Sequence, residues 1–250
     1  MKTNFKRFDT KNYEFNSNSE YGVYIIHGFS SSTYEIKQLA EFLGKKGFHA
    51  VANNLPGHGV TASDCNNIKY HDWFDAVKQD IAKLVSSSKK TYIVGCSMGG
   101  SLALYASSLF PVNGCIVGGT VLKFKNPFTI NFTNRLLCKI IKLRNKADIN
   151  LNQNIKFYGY TQYPLIALNE FRKMNITIIK NLSNIKCPTL IIHSKSDRLA
   201  IKENVHIICK NIKSEIKEKF WVNDAHHNLF DANPDQKIIF TKILDFIKTY

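Results

Sequence analysis

Gly95-Cys96-Ser97-Met98-Gly99-Gly100 follows an apolar, β-branched run, Thr91-Tyr92-Ile93-Val94, and opens a helix-forming run that Pro111 stops after Phe110. G-x-S-x-G between a strand and a helix is the pattern of a nucleophilic serine held on a sharp turn. The turn forces the serine into a strained backbone conformation, and Gly95 and Gly99 remove the side chains that would clash there. Ser97 is thereby lifted clear of the sheet, beside the positive end of the following helix. Cys96 is expected to point into the fold rather than to act as a catalytic thiol.

Working outward, strand and helix patterns alternate along most of the chain. Gly22–Ile26, Phe48–Leu55, Gly114–Gly118, Thr189–His193 and Phe220–Val222 read as strands. Tyr34–Lys46, Asp72–Val85 and Leu165–Leu182 carry helical spacing, as do segments starting near Lys202 and Asp235. Continuous apolar strands alternating with helices imply an α/β fold with a mainly parallel central sheet covered by helices on both faces. The alternation fails between Val121 and about Pro164, where a lysine-studded apolar helix, Thr133–Leu143, precedes an Asn-rich stretch. The expectation is one domain, 1–250, carrying a small cap insertion over about 121–164 at the carboxyl edge of the sheet, where such folds place their ligands.

A serine hydroxyl is a weak nucleophile until a base takes its proton. On an elbow of this kind the chain order is serine, acid, histidine. Asp197 ends the strand Thr189–His193 through Ser194-Lys195-Ser196, where a carboxylate can hold an imidazole in the required tautomer. Asp224 is its competitor. Asp224-Ala225-His226-His227-Asn228, after the last strand, offers two candidate bases. His27 and His58 sit in upstream turns and read as structural hydrogen-bonding groups; His71, His193 and His206 read as structural or surface residues. An oxyanion needs two donors aimed at it. The backbone N–H of Met98, next to the nucleophile, is one; that of Phe29, in the His27-Gly28-Phe29 loop, is the other, and the Phe29 ring is placed to line an acyl pocket.

The 250 residues suffice for a large core, and 44% hydrophobic with 21% charged residues describes an ordinary globular chain. No apolar run reaches the roughly 18 residues that span a bilayer, and the basic N-terminus lacks an apolar segment behind it; a cytoplasmic location is expected. Six scattered cysteines, without C-x-x-C pairs or zinc-like clusters, read as reduced thiols. The net charge of +15 is almost wholly lysine, with Arg7, Arg135, Arg144, Arg172 and Arg198 the only arginines. Dispersed lysine is poor at gripping phosphates bidentately, so no specific nucleic-acid partner is expected. Asn134–Arg144 combines apolar and basic residues, which suggests weak association with an anionic membrane surface. Packing of its apolar side over the acyl pocket is the preferred alternative.

His27-Gly28-Phe29, Pro56-Gly57-His58-Gly59, Gly95–Gly100, Cys187–Ile192 with Asp197, and His226 with Asp231 together resemble the α/β-hydrolase family. The nearer likeness is to its small bacterial carboxylesterase and monoacylglycerol lipase branch, over about Val23 to Phe246. In that branch the histidine precedes an acidic residue by a few positions, and alignment on Asp231 selects His226 over His227. The resemblance implies a serine hydrolase with a Ser97–His226–Asp197 triad, no metal or organic cofactor, and a small-molecule ester as partner. Short- to medium-chain esters or monoacylglycerols are the implied substrates, cleaved through an acyl-enzyme. The same triad also serves thioesterases, amidases or peptidases and carbon–carbon bond hydrolases, and a non-catalytic ligand-binding member of the fold is the remaining alternative.

Overall fold

The computed structural model describes residues 9–146 and 159–250. In chain order it runs through β1 (Tyr13–Phe15), β2 (Tyr21–Ile26), α1 (Lys37–Lys45), β3 (His49–Ala52), α2 (Ala62–Cys65), α3 (Tyr70–Ser87), β4 (Lys90–Cys96), α4 (Met98–Ser107) and β5 (Gly114–Gly118). The chain then leaves the sheet. A π-helical segment (Thr129–Asn134) leads into α5 (Arg135–Leu137), and a small antiparallel ribbon pairs β6 (Leu143–Asn145) with β7 (Gln162–Pro164) before α6 (Leu165–Asn181). It returns with β8 (Thr189–Ser194), α7 (Glu203–Asn211), β9 (Lys217–Val222) and α8 (Gln236–Thr249).

The main sheet has the order β1-β3-β2-β4-β5-β8-β9. Every pairing is parallel except β1 with β3. Successive side chains of a strand face opposite sides, and the strands accordingly feed two cores. Tyr24, Ile26, Ile93, Val117 and Ile191 pack with Trp73, Val77, Leu102 and Met174 on one face. Val23, Ile25, Val94, Ile116, Leu190 and Ile192 pack with Leu39, Leu43, Ile239 and Phe246 on the other. The expected α/β architecture, a mainly parallel sheet with helices on both faces, is the observed one.

The sequence patterns do not show β1, α2 or the β6–β7 ribbon. β1 is too short to show alternation and α2 is a single turn, set by the Thr61 hydroxyl accepting the Asp64 N–H in a capping box. The helix expected over Thr133–Leu143 is corrected. Here Thr129–Asn134 is π-helical, α5 ends at Leu137, and Leu143 already belongs to β6. The apolar spacing there does not mark a core face: Leu136, Leu137, Ile140 and Ile141 are exposed, while Asn134 and Cys138 are buried. The preferred packing of that apolar side over the pocket is corrected with it. Part of the expected insertion, 147–158, lies outside the described residues.

Candidate active site

β4 ends at Cys96 and α4 begins at Met98, so Ser97 alone makes the turn, with φ 56° and ψ −116°. This is the left-handed strain foreseen for a nucleophile elbow. The glycines are needed for close approach. A Cβ on Gly95 would lie 2.1 Å from the Gly99 carbonyl oxygen, and one on Gly99 would lie 2.1 Å from that of Ile26. The Ser97 N–H donates to the Gly118 carbonyl at 2.9 Å, tying the elbow to the end of β5. Cys96 is fully buried, and burial pushes its thiol pKa well up, so it is inert beside the serine.

The Ser97 hydroxyl lies 2.9 Å from Nε2 of His227, and Nδ1 of the same ring lies 2.8 Å from Oδ2 of Asp197. Asp197 is the carboxylate that meets this imidazole. Asp197 Oδ1 accepts the N–H groups of Leu199 and Ala200 at 2.8 and 2.9 Å, which leaves Oδ2 to orient the imidazole. Asp224 is exposed, off this line.

The base assigned to His226 is corrected to His227 by this geometry. Asp235 Oδ2 accepts the N–H groups of both Asp224 and Ala225 at 2.8 Å, and the Ala225 carbonyl accepts the Ser194 hydroxyl. Ala225 is thus drawn fully inside, while His226 is left exposed and His227 is largely covered. Asp231, the alignment marker for His226, is buried against the Gln38 amide. Its separation from the histidine is a loop length, and a one-residue change in a loop moves every such marker. Nothing local in Asp224-Ala225-His226-His227 marks the second histidine, because the bond that draws Ala225 inward comes from Asp235.

Electrostatics around the relay oppose burial. Desolvation alone would lower the His227 pKa, but the Asp197 hydrogen bond and charge, with Glu35, outweigh it and raise it above 6.5. Burial would raise the Asp197 pKa, but His227 and the two backbone donors bring it below its ordinary value. Glu35 was not foreseen. It ends the short helical turn Thr33–Glu35, is almost fully buried, and accepts the Gly28 N–H at 2.7 Å. Its carboxyl pKa is raised, chiefly by burial. Helical spacing starting at Tyr34 absorbed this residue into an ordinary amphipathic turn, and nothing local marks a carboxylate bonded back to the loop before it.

Gly28 lies against the nucleophile, since a Cβ there would come within 3.2 Å of Ser97 Cβ. Phe29 follows it and shares a cavity of about 270 Å³ with Ser97 and His227. Val121, Phe124, Ile130, Leu168, Phe171 and Leu199 form an apolar wall of this cavity. Its polar end holds Glu35, Ser31 and Lys146. The Lys146 ammonium donates to the Ser30 hydroxyl at 2.7 Å, and burial, outweighing the pull of Glu35, lowers its pKa to about 7. The upstream histidines are structural, as expected. His27 Nε2 accepts the Leu55 N–H, and burial lowers its pKa to about 4. His58 is buried in an aromatic cluster with Phe29, Trp73 and Tyr160.

Comparison with known proteins places this geometry. The family model for serine aminopeptidase, S33 (Hydrolase_4) matches residues 17–234. The chain belongs to that family. Within reach of this Hydrolase_4 member is the thermostable monoacylglycerol lipase of Bacillus sp. (strain H-257), 26% identical, over 92% of this chain and 91% of the relative. A carboxylesterase of Bacillus subtilis (strain 168) is 20% identical, over 90% and 92% of the two chains. Among solved structures, that of the metagenome-derived lipolytic enzymes LipS and LipT superposes with TM-score 0.86 at 24% identity, covering 96% of this chain and 98% of the other. A soluble variant of monoglyceride lipase from Saccharomyces cerevisiae gives 0.78 at 16% identity, covering 100% and 97%. The Hydrolase_4 chain therefore has the α/β-hydrolase fold, and it is a hydrolase of the lipase and esterase type.

Proposed function

We propose that this chain is a serine esterase that cleaves short- to medium-chain esters or monoacylglycerols through an acyl-enzyme, with 121–164 forming a cap over the site. The observation that carries the proposal is the continuous relay Ser97 Oγ to His227 to Asp197, set at the polar end of an apolar cavity. Ser97 Oγ attacks the ester carbonyl as His227 Nε2 takes its proton. The imidazolium, held through Nδ1 by Asp197, then returns a proton to the leaving alcohol. Water, deprotonated by His227, attacks the acyl-serine; collapse returns the proton to Ser97 and releases the acid.

The oxyanion of each tetrahedral intermediate is assigned to the N–H groups of Phe29 and Met98. Met98 is the first residue of α4, where the helix offers no acceptor of its own. Phe29 follows the Gly28 peptide that Glu35 fixes. The apolar wall takes the acyl chain, and similarity to a monoacylglycerol lipase along nearly the whole of both chains supports a glyceride among the substrates.

The test is hydrolysis of p-nitrophenyl esters of graded acyl length, and of a monoacylglycerol, with Ser97→Ala in parallel. Turnover that vanishes in the variant is expected, with an optimum length set by the cavity. Absence of turnover on every ester, with activity on a thioester or amide instead, would overturn the ester assignment.

A further inference from the structure

The segment between β5 and α6 carries an apolar stripe that nothing in the described residues covers. Phe128, Phe132, Leu136 and Ile140 recur every four residues and are 71%, 58%, 72% and 79% exposed. Two consecutive rings stack on each other, Phe128 on Phe132 at 5.2 Å between centroids, rather than on the core. Soluble proteins scatter exposed apolar residues singly, and a contiguous row of four marks a contact surface.

The charged residues of the same segment are of one sign. Lys123, Lys125, Arg135, Lys139, Lys142 and Arg144 are all exposed. From Ile81 to Ala147 the sequence contains no aspartate or glutamate. An exposed apolar row interspersed with cations matches an interface of acyl chains and negative headgroups. Duplex or single-stranded nucleic acid would satisfy the cations and leave the Phe128–Ile140 row in water. A second copy docking by the same patch would oppose two rows of cations with no acid between them in this segment.

We propose that the Phe128–Ile140 row and its flanking cations form a docking surface for an anionic lipid bilayer. The same segment lines the cavity through Lys125, Ile130 and Arg144. Docking by this face sets the cavity mouth against the bilayer surface, so a lipid enters the site without crossing water.

The test is co-sedimentation of the full chain with vesicles of phosphatidylcholine alone and of phosphatidylcholine with an equal part of phosphatidylglycerol, at low and physiological salt. Wild type is expected to partition roughly tenfold or more in favour of the anionic vesicles, an advantage that added salt reduces. Lys139→Glu with Lys142→Glu is expected to abolish the preference. Leu136→Ser with Ile140→Ser should lose binding although charge is unchanged. None of these side chains lines the cavity, so turnover of a water-soluble ester serves as the check of folding. As a second readout, Phe132→Trp should shift its emission to shorter wavelength on anionic vesicles as the ring leaves water. Equal partition onto both vesicle types would overturn the proposal. So would retention by the Leu136→Ser/Ile140→Ser variant, which would make the contact purely ionic. A wild-type dimer in size-exclusion chromatography that this variant dissociates would assign the face to a second copy instead.

Discussion

At the scale of single residues, the site depends on which atoms His227 touches, and its two bonds separate it from its neighbour in a measurable way. Ser97→Ala and His227→Ala are each expected to lower kcat by a factor on the order of 10⁴–10⁶, as members of one unit do, while His226→Ala should stay near wild type. Steady-state hydrolysis of a soluble ester checks both, and a reversed ranking of the two histidines would return the base to position 226. Asp197→Asn is expected to cost far more than Asp224→Asn, because only the former holds an imidazole. The pH dependence carries a sign. His227 must be neutral to accept the serine proton and its pKa is raised, so kcat/KM should climb with pH through a midpoint above 6.5. Glu35→Gln removes a negative charge that favours the imidazolium, and its acid limb should therefore move to lower pH. A limb that stays in place while kcat falls would reduce Glu35 to a support for the Gly28 loop.

At the scale of elements, the elbow and the histidine loop are built by opposite means. The elbow is held by absence of side chains: Gly95→Ala and Gly99→Ala each push a methyl group to within 2.1 Å of a backbone oxygen that cannot retreat. Each should destabilise by several kcal/mol, at the upper end for single substitutions, read as a drop in the denaturant midpoint. The histidine loop is held by hydrogen bonds instead, two of them to a single carboxylate. Asp235→Ala leaves the N–H groups of Asp224 and Ala225 without their acceptor and should cost about 1–3 kcal/mol. Loss of kcat beyond the fraction unfolded would show that the anchor also positions His227. The elbow was legible because glycines at fixed offsets have a steric meaning within six residues. The loop was not, because its anchor lies ten and eleven residues beyond the groups it holds and nothing periodic connects them.

At the scale of the whole molecule, Ser97, Asp197 and His227 come together only because β4, β5 and β8 are neighbours and β9 closes the row. Ser97 follows β4, Asp197 follows β8 and His227 follows β9, so their carboxyl ends meet at one edge of the sheet. The cysteines follow the same packing. Cys65, Cys96, Cys115 and Cys138 are buried and unpaired, and Cys187 and Cys209 are only partly accessible. A thiol reagent should modify at most Cys187 and Cys209 in the native protein, and all six after denaturation. The unfolding temperature should be indifferent to reductant.

Apolar runs of strand length, helical spacings, and the Gly95–Gly100 turn are local facts, and local sterics and hydrophobic periodicity were enough to determine an α/β sheet with Ser97 at its edge and Asp197 within reach. Two matters were decided only in three dimensions. Which of two adjacent histidines faces the serine depends on a bond from Asp235 that draws Ala225 inward. Whether the apolar residues of 128–141 meet a core or water depends on what packs opposite them. Periodicity reports that a face is apolar; only the assembled chain supplies, or withholds, the surface that would cover it.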